Sequence, residues 1–272
     1  MKTSLRLRCF AASAVIAGFG PVIADADTKL WSAPGNGAYP DSANWIGGAP
    51  GTNDFAWFNF LFGSGNPNPF TVTFPGQLSF LGPRNYITHE LRIGPGNATF
   101  VQSNQPFLST STFTLNSTIG IGETGGPSSL TTTLASLSAP TASIGMFAGS
   151  QGTLNVNAGS FNVTGSGSSF ELAVGDNGTG TLNVNNGAQV NVTGTEGNAV
   201  IGNKAGVSGV VNVNGAGSIW NNNSNSLVAP FTTGGSGNGA LNVSAGGQVN
   251  DMRCEIGSNA GSSGSVTVDG AG

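Results

Sequence analysis

The chain has 272 residues, of which 45 are Gly and 13 are Pro, and only 7% are charged, for a net charge of −4. An ordinary soluble domain carries roughly 25% charged residues and ~7% Gly. The balance excludes three classes. A helical bundle needs many Ala, Glu, Lys and Leu at helical spacing. A nucleic-acid binder needs a basic face, which 8 Lys and Arg against 12 Asp and Glu do not supply. A disordered acidic tail does not carry 38% hydrophobic residues. What remains is a Gly- and Asn-rich β protein with many turns.

Residues 1–26 read as an export leader. Lys2, Arg6 and Arg8 form a basic start, Cys9 to Phe19 are small or apolar, and Ala24-Asp25-Ala26 places cleavage after Ala26. Val22-Ile23-Ala24 offers a second site. The apolar run spans about 11 residues, against ~20 for a membrane crossing. Cys9 follows the charged Arg6 and Arg8 and is not read as a lipoprotein cysteine. Cleavage leaves Lys29, Arg84, Arg92, Lys204 and Arg253 against eleven acids, a net charge of −6. Cys254 then stands alone, so no disulfide forms within the chain.

Residues 27–69 hold Trp31, Trp45 and Trp57 together with several Phe, Pro and Gly. A solenoid end exposes an open core and needs a cap, and this aromatic-rich segment suits that role. Residues 70–150 are degenerate. Phe70-Thr-Val-Thr-Phe74 and Leu78-Ser-Phe80 read as strands. Leu91-Arg-Ile-Gly94, Thr118-Ile-Gly-Ile-Gly122 and Ser143-Ile-Gly145 share a closing signature.

From residue 151 to 272 the repetition is plain. Units open at Gly152-Thr-Leu-Asn-Val-Asn-Ala-Gly159, Gly180-Thr-Leu-Asn-Val-Asn-Asn-Gly187, Gly209-Val-Val-Asn-Val-Asn-Gly215, Gly239-Ala-Leu-Asn-Val-Ser-Ala-Gly246 and Gly264-Ser-Val-Thr-Val-Asp-Gly270. Leu172-Ala-Val-Gly175, Ala199-Val-Ile-Gly202 and Glu255-Ile-Gly257 close units, and Leu227-Val-Ala-Pro230 breaks that rule. Within a unit, Thr181-Leu182-Asn183-Val184 and Gln189-Val190-Asn191-Val192 alternate polar and apolar residues, the period-2 pattern of a strand with one buried face. Gly, Asn and Ser between them are turn formers. Each unit thus holds about three short strands and cannot bury its apolar face alone. Stacked units can, with strands ~4.8 Å apart and outward Asn in ladders. The expected fold is all-β, a parallel β-solenoid of roughly eight turns from residue 70. A propeller blade of ~40–50 residues fits these 25- to 30-residue units less well.

The repeats resemble those of bacterial autotransporter (type V secreted) passengers and PEP-CTERM-associated exported proteins. The carrying motifs are Val174-Gly-Asp-Asn-Gly-Thr-Gly-Thr-Leu-Asn-Val184, Val213-Asn-Gly-Ala-Gly-Ser-Ile-Trp220 and Ile256-Gly-Ser-Asn-Ala-Gly-Ser-Ser-Gly-Ser-Val-Thr-Val-Asp-Gly270. The stretch from Trp31 through Asn44-Trp45-Ile-Gly-Gly-Ala-Pro50 to Asp54 is similar to the opening of many such proteins. The resemblance implies a right-handed parallel β-helix on the surface of, or outside, a Gram-negative-type bacterium, with no defined catalysis. A C-terminal β-barrel or anchor is missing and the last unit breaks off at Gly272, so the sequence reads as a truncated fragment, membrane-bound only through a part it lacks. Extracellular glycans or other surface proteins are the partners this implies.

Chemistry-bearing residues are sparse. The acids are Asp27, Asp41, Asp54, Glu90, Glu123, Glu171, Asp176, Glu196, Asp251, Glu255 and Asp269. A glycosidase needs two of them about 5–9.5 Å apart. Asp176 with Glu196, or Asp251 with Glu255, are the pairs nearest to this. The bland alternative is solvated turn acids. His89 is the single histidine and builds no zinc site, and Cys254 has no histidine near it in sequence. Gly175-Asp176-Asn177-Gly178 is a lone near match to a calcium-binding nonapeptide. Trp45 and Trp220 would either stack on sugars or pack under a cap or corner. No catalytic, cofactor-binding or metal-binding residue is assigned. The expected function is an exported structural or adhesin-like stalk without catalytic activity, the alternative being a carbohydrate-active or glycan-binding β-helix.

Overall fold

A computed structural model describes residues 27–33, 35–58, 69–76, 84–103, 110–123, 126–165, 170–193, 198–222 and 231–270. The leader, Leu78-Ser-Phe80, Glu196 and Leu227-Val-Ala-Pro230 lie outside the described residues. The described chain is a parallel β-solenoid with no α-helix, and no helix in it is long and apolar enough to cross a membrane.

Three sheets make up the stack, and from Phe55 onward the chain visits them in strict rotation. The first complete turn takes Phe55–Phe58 to the first sheet, Phe70–Phe74 to the second and Arg84–Thr88 to the third. The seventh does the same with Phe231–Thr233, Asn238–Ser244 and Gln248–Asp251. Cys254–Ile256 and Ser263–Asp269 begin an eighth. Seven turns at ~4.8 Å give a shaft of roughly 34 Å. Phe231-Thr-Thr-Gly234 takes the closing place that the sequence alone left to Leu227-Val-Ala-Pro230.

Register follows from the alternation. In the second sheet Leu154, Leu182, Val211 and Leu241 face inward one above another, followed two residues on by Val156, Val184, Val213 and Val243. The first three of each column are fully buried. A slip of one residue would turn every apolar side chain outward, so the pattern locks the turns in step. Between these inward residues, Asn155, Asn183, Asn212 and Asn242 form an outward ladder. Each amide nitrogen donates to the carbonyl oxygen one turn earlier, at 2.7, 2.7 and 2.9 Å, and Asn155 donates to Thr131 Oγ1 at 3.1 Å. A second ladder, Asn162, Asn191, Asn221 and Asn250, runs along the third sheet at 2.8–2.9 Å.

The glycine that opens each unit has a specific cause. A Cβ on Gly180 would lie 2.2 Å from Gly175 N and 2.4 Å from Ile144 O. Gly175 has φ +75, and its own Cβ would meet Ser208 O at 2.5 Å. Opening and closing glycines therefore interlock at the corner between the first two sheets, where backbones of adjacent turns approach too closely for any side chain.

The N-terminal end is aromatic. Thr28–Trp31 joins the first sheet parallel to Phe55–Phe58, and Trp45–Ile46 pairs with it antiparallel. That reversed strand is the last in the sheet order. Trp31, Tyr39, Trp45, Phe58, Phe70 and Phe74 are 0–4% exposed and pack at 4.9–6.0 Å between ring centroids. Trp45 Nε1 donates to Tyr39 O at 2.8 Å, which gives the buried indole its partner.

Candidate functional site

Charge is segregated around the shaft. Among the described residues, the second-sheet strands from Pro127–Thr132 to Asn238–Ser244 and the third-sheet strands from Ser136–Ala139 to Ile219–Asn222 carry no Asp, Glu, Lys or Arg, and the charges of these two sheets, Arg84, Asp251 and Asp269, stand in their end strands. Their outward faces present hydroxyls and the amide ladders. The first sheet and its flanking turns instead hold Arg92, Glu123, Asp176, Lys204 and Glu255.

On this charged side the outward column reads Trp57, Arg92, Gly120, Ser143, Ala173, Val200, Thr232, Glu255. The residues after the closing glycines fold back over it. Met146 occupies the space above Gly120, where a Cβ would meet its sulfur at 2.4 Å. One turn further the covering is thinner, and a groove of about 280 Å³ opens over the small side chains of Ser143 and Ala173. Asp176 and Asn203 form one wall. The other wall carries Phe170, which is 41% exposed, and the Thr118 and Thr141 hydroxyls, 2.7 Å apart.

Asp176 is held by its surroundings. Ser143 Oγ donates to its Oδ2 and Asn203 Nδ2 to its Oδ1, both at 2.8 Å. The turn beneath is pinned by Asn177 Nδ2 donating to Met146 O at 2.9 Å, and Lys204 Nζ donates to Asn177 Oδ1. Two neutral donors take one position on each carboxylate oxygen and leave further lone pairs for hydroxyl groups. No group of three His, Cys, Asp or Glu that could hold a metal occurs among the described residues.

The other candidates are dispersed. Glu171 is fully buried, whereas Asp176 opens on the groove, and Glu196 lies outside the described residues. Asp251 and Glu255 do meet one neighbour. Arg253 N donates to Asp251 Oδ2 at 3.1 Å, and its Nη2 to Glu255 Oε1 at 2.5 Å. Arg92 also bridges two carboxylates, bonding Glu90 through Nε and lying 3.9 Å from Glu123 Oε1. Burial pushes the Glu123 carboxyl up, and Arg92 opposes the shift. His89 packs edge-on against Phe55 at 5.3 Å. Asp27 pairs with Lys29 at 3.0 Å, Asp41 accepts from Ala43 N, and Asp54 accepts from Gly51 N. Asp269 is exposed on the last strand.

Trp45 and Trp220 are 4% and 0% exposed, so neither offers a ring face to a sugar. Trp220 lies inward in the third sheet, edge-on to Phe231 at 4.8 Å, and its Nε1 finds no acceptor among the described residues. Cys254 is a free thiol whose titration burial pushes up. It lies at the last turns, where an opening of about 500 Å³ between Phe231, Leu241, Val266 and Val268 exposes the interior of the stack end-on.

Sequence reasoning singled out Asp176 but missed Ser143, Asn203 and Phe170. A usable signal existed. Aligning units on their closing glycines puts Ser143, Ala173 and Val200 in one column and Met146, Asp176 and Asn203 in another. No family model, curated protein or solved structure matches the chain.

Proposed function

We propose that this chain is the shaft of an exported surface protein, a structural and adhesin-like element rather than an enzyme. The observation that carries the reading is the uninterrupted register of seven turns, braced inside by columns of apolar residues and, in the later turns, outside by amide ladders. Such a stack is rigid along its axis, because every turn is bonded to both neighbours across three sheets. Its buried columns hold structure, and its outward faces are free to meet a surface. The acidic balance and the leader-like residues 1–26 suit export and display outside a Gram-negative-type cell, in keeping with the resemblance of the repeats to autotransporter and PEP-CTERM-associated proteins.

The test is expression of the full chain in a Gram-negative bacterium. Export predicts a product beginning at Asp27 outside the cytoplasm, with the scattering profile of a rod. Beads coated with it are retained on matrix- or glycan-coated surfaces under washing. Cytoplasmic retention of the uncleaved chain, or turnover of polysaccharides by the purified protein, would overturn the proposal.

A further inference from the structure

We infer that the groove over Ser143 and Ala173 is a binding subsite for one unit of a neutral glycan, a hexose or N-acetylhexosamine. The inference rests on the adhesive reading above and supplies it with a ligand. Four features of the groove converge on this chemistry. Its floor is made by the two smallest outward side chains next to Gly120, which leaves about 280 Å³ open. Its polar wall holds a carboxylate already oriented by Ser143 and Asn203, each at 2.8 Å, and a carboxylate has acceptor capacity beyond two bonds. Its opposite wall is a phenyl ring, 41% exposed, whereas the rings of the N-terminal cluster and of Trp220 are buried. Thr118 and Thr141 add two hydroxyls that both donate and accept.

A pyranose has the matching two-sidedness. Its C–H face packs on an aromatic ring, while hydroxyls on its rim donate to a carboxylate and exchange bonds with amide and hydroxyl groups. Charge sets the class. Asp176 repels uronic acids and sulfated sugars, as does the overall negative charge. Both cations beside the groove are engaged, Lys204 with Asn177 Oδ1 and Arg92 with Glu90 and the Met146 sulfur. A small apolar ligand fits poorly, because it would strip water from Asp176 and give nothing back.

The experiment is a titration of the isotopically labelled full chain, followed by amide NMR shifts. The probes are free hexoses, N-acetylhexosamines and their short neutral oligomers, with oligogalacturonate as the acidic comparison. The expected result is saturable shifts at Ser143, Ala173, Asp176 and Asn203 with at least one neutral sugar and none with oligogalacturonate. Asp176→Asn should weaken binding about tenfold or more, on the scale of one lost hydrogen bond to a charged group, and Phe170→Ala, which removes the stacked ring, by about tenfold. Phe147→Ala is the comparison variant. Its ring is also 44% exposed but does not line the groove, so affinity should not change. Unchanged melting and rod-like scattering of Phe170→Ala show that lost binding is local. No shift with any neutral sugar at 100-fold excess, or shifts indifferent to Phe170→Ala, would overturn the inference. In that case an exported rod that still adheres leaves the shaft reading standing, whereas a chain that is not exported removes that reading first.

Discussion

The amide ladder of the second sheet can be tested by placing a carboxylate inside it. Asn183 donates to Asn155 Oδ1 at 2.7 Å and accepts from Asn212 Nδ2 at 2.7 Å. Each bond contributes about 1 kcal/mol net, so Asn183→Ala, which removes both, should destabilise by about 2 kcal/mol. Asn183→Asp is the sharper probe, because an ionised carboxylate still accepts from Asn212 but has nothing to donate to Asn155. At neutral pH the loss should again be about 1–2 kcal/mol, one bond plus the repulsion of two facing acceptors. When protonated, the introduced acid donates again. The folded state therefore favours its protonated form and raises its pKa above the unfolded value of ~3.9. A group raised in this way contributes stability that is present below the unfolded pKa and lost as pH rises through the folded one. The assay is the denaturation midpoint of both variants at pH 3 and pH 7. Asn183→Asp should be clearly more stable than Asn183→Ala at pH 3 and about equal to it at pH 7. Thr181→Val is the control, since Val210 already fills that column one turn on, and it should fall within about 0.5 kcal/mol of the parent. A constant difference between the two Asn183 variants, or a negligible cost for Asn183→Ala, would show that the ladder does not brace the stack.

Three further outcomes follow from the same geometry. Gly180→Ala places a methyl 2.2 Å from the Gly175 nitrogen and should abolish cooperative folding or destabilise by about 3 kcal/mol or more, like a severe overpacking; a melting curve near that of the parent would remove the interlocking-glycine account. Tyr39 is buried and its phenol is pushed above the usual tyrosine range by desolvation, so its folded state keeps the proton as the unfolded chain gives it up. Stability should therefore fall as pH rises past ~10, and absorbance at phenolate wavelengths should show Tyr39 ionising only together with unfolding; ionisation of both tyrosines in the folded protein would contradict this. Glu123 is also pushed up by burial, so its stabilising share is present at low pH and lost as pH rises through its folded value. The stability of Glu123→Gln relative to the parent should then increase from pH 4 to pH 7, and a flat difference across that range refutes the assignment.

The sequence by itself determined the architecture. Gly-Thr-Leu-Asn-Val at 152 and 180, varied as Gly-Val-Val-Asn-Val at 209 and Gly-Ala-Leu-Asn-Val at 239, contains the strand period, the inward columns and the outward ladder at once, because similar residues in register satisfy every turn with its neighbours. It determined that Asn155, Asn183 and Asn212 share one face, and the structure supplied the bonds between them. Tertiary structure decided what depends on contacts across turns. The unit-opening Gly180 looks like a turn former in sequence, but its cause is the backbone of Gly175 and of Ile144 in the preceding turn. Trp220 looks equally fit for a surface or a core, since Ser-Ile-Trp-Asn alternates either way; stacking over Val190 and against Phe231 buried it. The strands Thr28–Trp31 and Phe55–Phe58 lie in a segment whose Pro, Gly and Trp conceal any repeat, so only pairing with Glu90–Ile93 and its successors reveals that they belong to the first sheet. The groove is the clearest case. Ser143, Phe170, Asp176 and Asn203 come from three successive turns, each ordinary in its own unit, and they become a site only where the small floor and the thinner covering coincide along the axis.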